Sequence, residues 1–197
     1  MWMIKQMNIA SHRGFTLVEL IIVIVLLAVL AAIAIPSYTN MIITNRMTTE
    51  VNSFVSDLHF AKTEAIKRSR NVQICASNTS QTNCDSNATN WGENGWLVVD
   101  SETSEVLRVQ DPLNGPDEFD DISSPAAGSA GIISFNRYGF VPGSVRSFRL
   151  CGPYGKSERI KGVIVQASGR IRLAADVVGE DAIVEAIVDG EPVNMSC

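Results

Sequence analysis

Glu19 is the residue most at odds with its surroundings. It is the single charge among the 21 residues 15–35, a run dominated by Leu, Ile, Val and Ala. A carboxylate in the middle of a membrane helix costs about 2.5 to 3.5 kcal/mol, so an acid in such a run marks a function and calls for a countercharge. Breaking the peptide bond between Gly14 and Phe15 would provide it. Phe15 would then carry a free α-amine one helical turn from Glu19, or opposite the Glu19 of a second chain. The chemistry this stretch supports is processing followed by ion pairing.

A second candidate chemistry lies in how charge is distributed. The chain has 16 Lys and Arg against 21 Asp and Glu, a net charge of −5 and a pI near 5.0. That balance excludes a protein that coats nucleic acid with its whole surface, but leaves room for a local patch. Between residues 137 and 172, Arg137, Arg146, Arg149, Lys156, Arg159, Lys161, Arg170 and Arg172 stand against one acid, Glu158. Residues 85–121 hold ten acids and one base, Arg108, and residues 176–191 hold six acids and no base. On a strand Arg170 and Arg172 share a face while Ile171 and Leu173 point to the core, because side chains alternate. Two guanidinium groups on one face can clamp successive phosphates. The competing expectation is that the basic strands pair with acidic segments of the same domain or of neighbouring subunits.

Four cysteines, Cys75, Cys84, Cys151 and Cys197, lie outside the apolar run, where an exported domain meets oxidising conditions. Sequence leaves three pairings open. The preferred one joins Cys75 to Cys84 around a polar loop and Cys151 to Cys197 at the C-terminus, each bond stabilising by about 2 to 4 kcal/mol. The interval from Cys75 to Cys84 is too long for the usual zinc pair and no histidine follows it, so no metal is expected. No Gly-x-Ser-x-Gly elbow or Walker loop is present, and His59 is the only histidine besides His12. No catalytic residue or cofactor is expected, and an enzyme is the least favoured class.

The elements that must position these groups follow from periodicity. An α-helix over residues 15–35 would be about 30 Å long, the thickness of a bilayer's hydrocarbon core. Lys5 and Arg13 precede it without an acid, which favours a cytoplasmic N-terminus and an exported C-terminal part. Pro36 should kink or restart the helix. Beyond it Val51, Phe54, Val55, Leu58, Ala61, Ala65 and Ile66 recur at helical spacing, opposite a face carrying Arg46, Glu50, Asp57, Lys62, Glu64, Lys67, Arg68 and Arg70. Short β-prone runs then fall at 72–76, 96–100, 105–110, 132–135, 147–151, 163–167, 170–174 and 182–188, separated by turn residues. Two polar connections, 77–90 and 111–131, are long enough to be functional or mobile. The expected fold class is α+β: a long N-terminal helix packed on a mainly antiparallel β domain.

The stretch Arg13-Gly14-Phe15-Thr16-Leu17-Val18-Glu19, with the apolar run behind it, resembles the class III signal of type IV prepilins and type II secretion pseudopilins. An ordinary signal peptide has an apolar core of about 7 to 15 residues, shorter than this one, and no acid within it. The resemblance implies cleavage after Gly14 by a prepilin peptidase, N-methylation of Phe15, and pairing of Glu19 with a neighbouring subunit's amine. Further along, Trp91-Gly92 to Val99, Phe135-Asn136-Arg137-Tyr138-Gly139-Phe140 and Ser168-Gly169-Arg170-Ile171-Arg172 are similar to the GspH/FimT branch of minor pilins and pseudopilins. That branch implies a type IV pilin-like fold with a C-terminal β-sandwich.

On this reading residues 1–14 are a leader, 15–36 a transmembrane and assembly segment, 37–70 the amphipathic half of the helix, and 71–197 the β domain. The chain starts in the inner membrane with its C-terminal domain in the periplasm, and ends in a surface filament among other pilins. The Gly-Arg-x-Arg pattern resembles one associated with DNA binding in FimT-type minor pilins. That places Gly169, Arg170 and Arg172 on double-stranded DNA, with Lys156, Arg159 and Lys161 added from charge and position. A GspH-like pseudopilin serving type II protein secretion is the alternative role.

Overall fold

The computed structural model describes residues 14–88, 90–115, 117–122, 131–143, 145–153, 160–174, 185–188 and 191–194. One helix, α1, runs from Leu17 to Arg68. The chain divides into two compact units, residues 1–42 and 43–197.

In the first unit every described side chain from residue 14 to residue 35 is exposed. The most apolar 18-residue window of the helix has a mean hydropathy of 3.2 and is 0% buried. Thr16 caps the helix: its Oγ1 accepts from the Glu19 backbone N–H at 3.2 Å, which satisfies one of the amides a helix start leaves open. The helix is not restarted at Pro36 but continues through it. Proline removes one hydrogen bond of the ladder, and the ladder on either side carries the helix across it.

In the second unit the helix buries Met47, Val51, Phe54, Leu58, Ala61 and Ala65, alternately four and three residues apart, as one stripe. Val55 is only partly buried, and Ile66 is exposed. The helix stops at a left-handed Ser69 (φ 54°), where the Arg70 N–H bonds the Ala65 carbonyl and the Ser69 N–H that of Ile66. This is the Schellman arrangement, with serine in the place usually taken by glycine.

Ten strands follow among the described residues: β1 Val72–Ala76, β2 Trp96–Asp100, β3 Val106–Gln110, β4 Glu118–Asp121, β5 Ile132–Phe135, β6 Arg146–Cys151, β7 Ile160–Val165, β8 Ile171–Leu173, β9 Glu185–Val188 and β10 Glu191–Asn194. They form a sheet of order β3-β2-β1-β5, a second of order β4-β6-β7-β8 and a β9-β10 hairpin, antiparallel throughout. The helix stripe meets both four-stranded sheets in one core. Its centre is Phe54, whose ring lies 4.7 Å from that of Phe119, 5.0 Å from Phe148, 5.2 Å from Trp96 and 5.7 Å from Trp91. These contacts join the helix to a strand of each sheet, so the stripe fixes how the sheets face one another.

Strand β4 lies inside the stretch expected to be a polar connection. Its sequence is Glu-Phe-Asp-Asp, with one apolar side chain, and two acids are matched from β6: Arg149 to Asp120 at 3.0 Å and Arg146 to Asp121 at 3.3 Å. An edge strand with its charges paired needs no apolar pattern of its own. Loop 77–88 is likewise anchored. Cys75 is bonded to Cys84 with their Cα atoms 5.5 Å apart, Ser77 bridges to Cys84, and Asn78 Oδ1 accepts from Thr82 N at 2.9 Å. Cys151 is also in a disulfide, and Cys197 lies outside the described residues.

Candidate assembly segment and nucleic-acid surface

Gly14 has open space around it and Phe15 is 83% exposed, so the bond between them stands clear of the rest of the protein. Glu19 occupies the third position of α1, behind the Thr16 cap. An acid there lies near the positive end of the helix dipole rather than in mid-span, so the cost of placing it in an apolar run is smaller than for a central position. Its carboxylate remains able to meet a cation arriving at the helix start.

The basic segment divides into spent and free charges. Arg146, on the core-facing side of β6, is nearly buried and bridges the two sheets: its Nη1 meets Asp121 and its Nη2 donates to the Ile132 carbonyl at 2.8 Å. Arg149 pairs with Asp120 across β4. For these two the expectation of pairing within the domain describes the structure. Arg137, Lys161, Arg170 and Arg172 have no ion pair among the described residues. Lys156 and Arg159 lie outside the described residues.

The free charges do not form one clamp. Lys161 stands opposite Leu150, a residue of the main core, whereas Arg172 stands opposite Ile164, which belongs to a separate cluster with Ile160 on the other face of the sheet. By strand alternation Lys161 and Arg172 therefore project to opposite sides. Arg170 precedes β8 and is exposed, while Arg172 is half-buried with its Nε shielded from solvent and without a hydrogen bond. Ile171 packs on the core, but Leu173, expected there too, is 53% exposed. Strand β8 is a three-residue edge strand, which leaves Leu173 at the margin of the sheet.

Gly169 is fixed by packing. Its φ is +72°, and a Cβ there would collide with the Gly139 carbonyl oxygen. The Gly169 N–H bonds the Gln166 carbonyl at 2.8 Å, and its own carbonyl accepts from Lys62 Nζ at 2.8 Å. Only glycine allows the β7-β8 turn to sit this close to the turn at Gly139. Lys62 was expected on the polar helix face, and its role as the clasp of that turn is a long-range contact that helical periodicity does not reveal. The neighbouring turn is built by Asn136, whose Oδ1 accepts from Tyr138 N at 2.9 Å and Phe140 N at 3.1 Å. The Val141 N–H then bonds the Ala167 carbonyl at 2.9 Å, which ties the two turns together.

The helix face opposite the core is also less open than its sequence indicates. Asp57 is buried, accepting from Trp96 Nε1 at 2.8 Å and pairing with Arg108 at 2.7 Å. Glu64 is buried between Arg68 and Lys67, and hydrogen bonds first from Arg68 and then from Lys67 hold its carboxyl below the usual range. Arg46 makes a two-pronged bond to Asp117, at 2.9 and 2.7 Å, and touches Glu50 at 3.7 Å. Burial first, and then the Asp117 carboxylate, push Glu50 up to about 7.

An apolar, capped N-terminal helix followed by a helix stripe wedged onto antiparallel sheets defines a protein of the type IV pilin-like class. The chain belongs to the GspH family: the family model described as type II transport protein GspH matches residues 50–169, and that of the prokaryotic N-terminal methylation motif matches residues 9–35. It is thus a minor pilin or pseudopilin of the GspH/FimT/FimU kind. The chain is 35% identical over 99 residues to the type IV major fimbrial protein FimA of Dichelobacter nodosus, a match covering 45% of this chain and 61% of that protein. Its fold is similar to a crystal structure of the type IV minor pilin FimU of Pseudomonas aeruginosa, with a TM-score of 0.51 and 20% identity over 70% of this chain and 92% of that one.

Proposed function

We propose that this chain is a minor type IV pilin, cut between Gly14 and Phe15 by a prepilin peptidase, methylated at Phe15, and assembled with other pilins through Glu19. Before assembly residues 15–36 hold it in the inner membrane, with Lys5 and Arg13 on the cytoplasmic side and the domain in the periplasm. The observation that carries this reading is the exposed Gly14–Phe15 bond directly ahead of a capped helix whose residues 17–35 are apolar but for one acid in the first turn. A carboxylate so placed is matched when the new α-amine of an adjacent subunit docks beside it. Exposed Arg170, with Arg172 beside it, gives the domain contacts for the phosphates of double-stranded DNA, and Lys161 serves the opposite side of the sheet.

The test is a deletion strain complemented with wild type or with Glu19→Ala, scored for piliation, DNA uptake and protein secretion. Pili are expected to be lost or much reduced in the deletion and not restored by Glu19→Ala. Full restoration by Glu19→Ala would sink the assembly role. The family description of a type II transport protein favours a second reading, a pseudopilin of a secretion system. Loss of secretion with pili intact would establish that reading in place of the first.

A further inference from the structure

The two interlocked turns carry more than free arginines. Tyr138 is 67% exposed and Phe140 51%, although both flank the buried Gly139 that anchors their turn. Rings of this size normally seek cover. Here they are held outward, because the Asn136 side chain bonds both of their backbone amides and the Val141 N–H is fixed to Ala167. The Arg137 guanidinium lies 5.2 Å from the centre of the Tyr138 ring. Gly139 packs against Gly169, so the turn that carries Tyr138 and Phe140 lies against the turn that Arg170 follows. On the other side of Tyr138 a cleft of about 370 Å³ is lined by Arg70, Arg137, Asn136 and Glu102, the last paired with Arg70 at 3.5 Å. Exposed rings on a rigid turn, flanked by Arg137 and Arg170, neither of which is in an ion pair among the described residues, are the ingredients of a base-stacking platform with phosphate anchors.

We propose that the 136–140 turn, with Arg170, is a binding site for unstacked nucleic-acid bases, so that the domain prefers single strands to intact duplex. This rests on the nucleic-acid reading given above and refines it. A duplex offers phosphates to Arg137 and Arg170 but keeps its bases stacked inside. A single strand offers both, and every base has a face that stacks on Tyr138 or Phe140 whatever its sequence.

The experiment measures fluorescence anisotropy of a labelled oligothymidylate, and of a blunt duplex of equal length, with the full chain in detergent at low salt. Wild type should bind the single strand more tightly than the duplex. The double variant Tyr138→Ala with Phe140→Ala should lose about tenfold or more per ring for the single strand, while duplex binding stays as in wild type. Tyr138→Leu with Phe140→Leu keeps the turn's apolar volume and should show the same selective loss, and Tyr138→Trp should tighten single-strand binding. Unchanged single-strand affinity in the double variants overturns the proposal, as does a wild type that binds only duplex; in both cases the nucleic-acid reading stands. Failure of wild type to bind either probe at low salt overturns both. Exclusion of the double variant from filaments, with its single-strand affinity unchanged, would assign the rings to a contact with another pilin and also overturn it.

Discussion

Residues 17–42 and residues 43–68 belong to one helix but meet different surroundings. In the first part Ile21, Ile24, Leu27 and Leu30 lie on the surface like the rest of their neighbours, so the apolar side chains ring the helix and are matched to lipid or to other helices. In the second, six buried apolar side chains make one stripe, flanked by partly buried Ile43, Val55 and Phe60, and most of the remaining positions are polar. The chemistry proposed for the first part is local: Gly14, Phe15, Thr16 and Glu19 lie within two turns. The second part acts through partners far away in sequence, with Phe54 reaching Phe148, Asp57 reaching Arg108 and Lys62 reaching Gly169.

The largest expected effect follows from that difference. Phe54→Ala removes the ring on which Trp91, Trp96, Phe119 and Phe148 converge, and leaves a cavity shared by both sheets. It should destabilise the domain by about 3 to 5 kcal/mol in denaturant titrations, while membrane insertion of the chain stays as in wild type. Ile24→Ala should show the converse, with no change in the domain's unfolding midpoint. Equal effects of the two substitutions on unfolding would erase the distinction between the two parts of the helix.

The same distinction explains what the sequence made legible. The apolar N-terminal run was readable residue by residue because it is contiguous in sequence, whereas the Thr16 cap at its start was not foreseen. The core strands β1 and β2 and the helix stripe were readable from their periods, although Met47 was not anticipated. Strand β4 was not readable, since its acids are satisfied only once Arg146 and Arg149 arrive from β6. The basic block looked like one patch for the same reason: sequence counts charges but not their partners, so Arg146 and Arg149 could not be told apart from Arg137 and Arg170. A signal for the aromatic turn was present in Asn136-Arg137-Tyr138-Gly139-Phe140, where a glycine between two rings calls for a tight turn with the rings splayed outward.

A middle-sized effect separates packing from binding in the Gly-Arg-x-Arg pattern. Gly169→Ala places a Cβ against the Gly139 carbonyl at a residue whose φ is +72°. It should destabilise the domain by about 1 to 3 kcal/mol and weaken nucleic-acid binding only through the displaced turn. Arg170→Ala should leave unfolding within about 0.5 kcal/mol of wild type, because its side chain is exposed. If Gly169→Ala proves neutral in thermal unfolding, the turn is not held as described, and the glycine belongs to the binding surface instead.

The smallest effect is a pH dependence that only the second part of the helix should possess. Glu50 has a side chain 10% exposed and is pushed up to about 7 from 4.5, by burial first and by Asp117 second. Between those values the folded chain keeps a proton that the unfolded chain has released, so the contribution to stability falls as pH rises through this window and is lost above it. The opposing pull of Arg46 is already contained in the value of about 7, so stability should change by about 2 kcal/mol between pH values of about 5 and 8. Glu50→Gln keeps the shape and removes the titration. It should therefore flatten the profile and raise the melting temperature on the alkaline side, where the wild type carries two carboxylates against the single guanidinium of Arg46. A wild-type profile that rises toward alkaline pH, or one that Glu50→Gln leaves unaltered, would mean that Arg46 holds both acids ionised and that this junction is an ordinary ion-pair network.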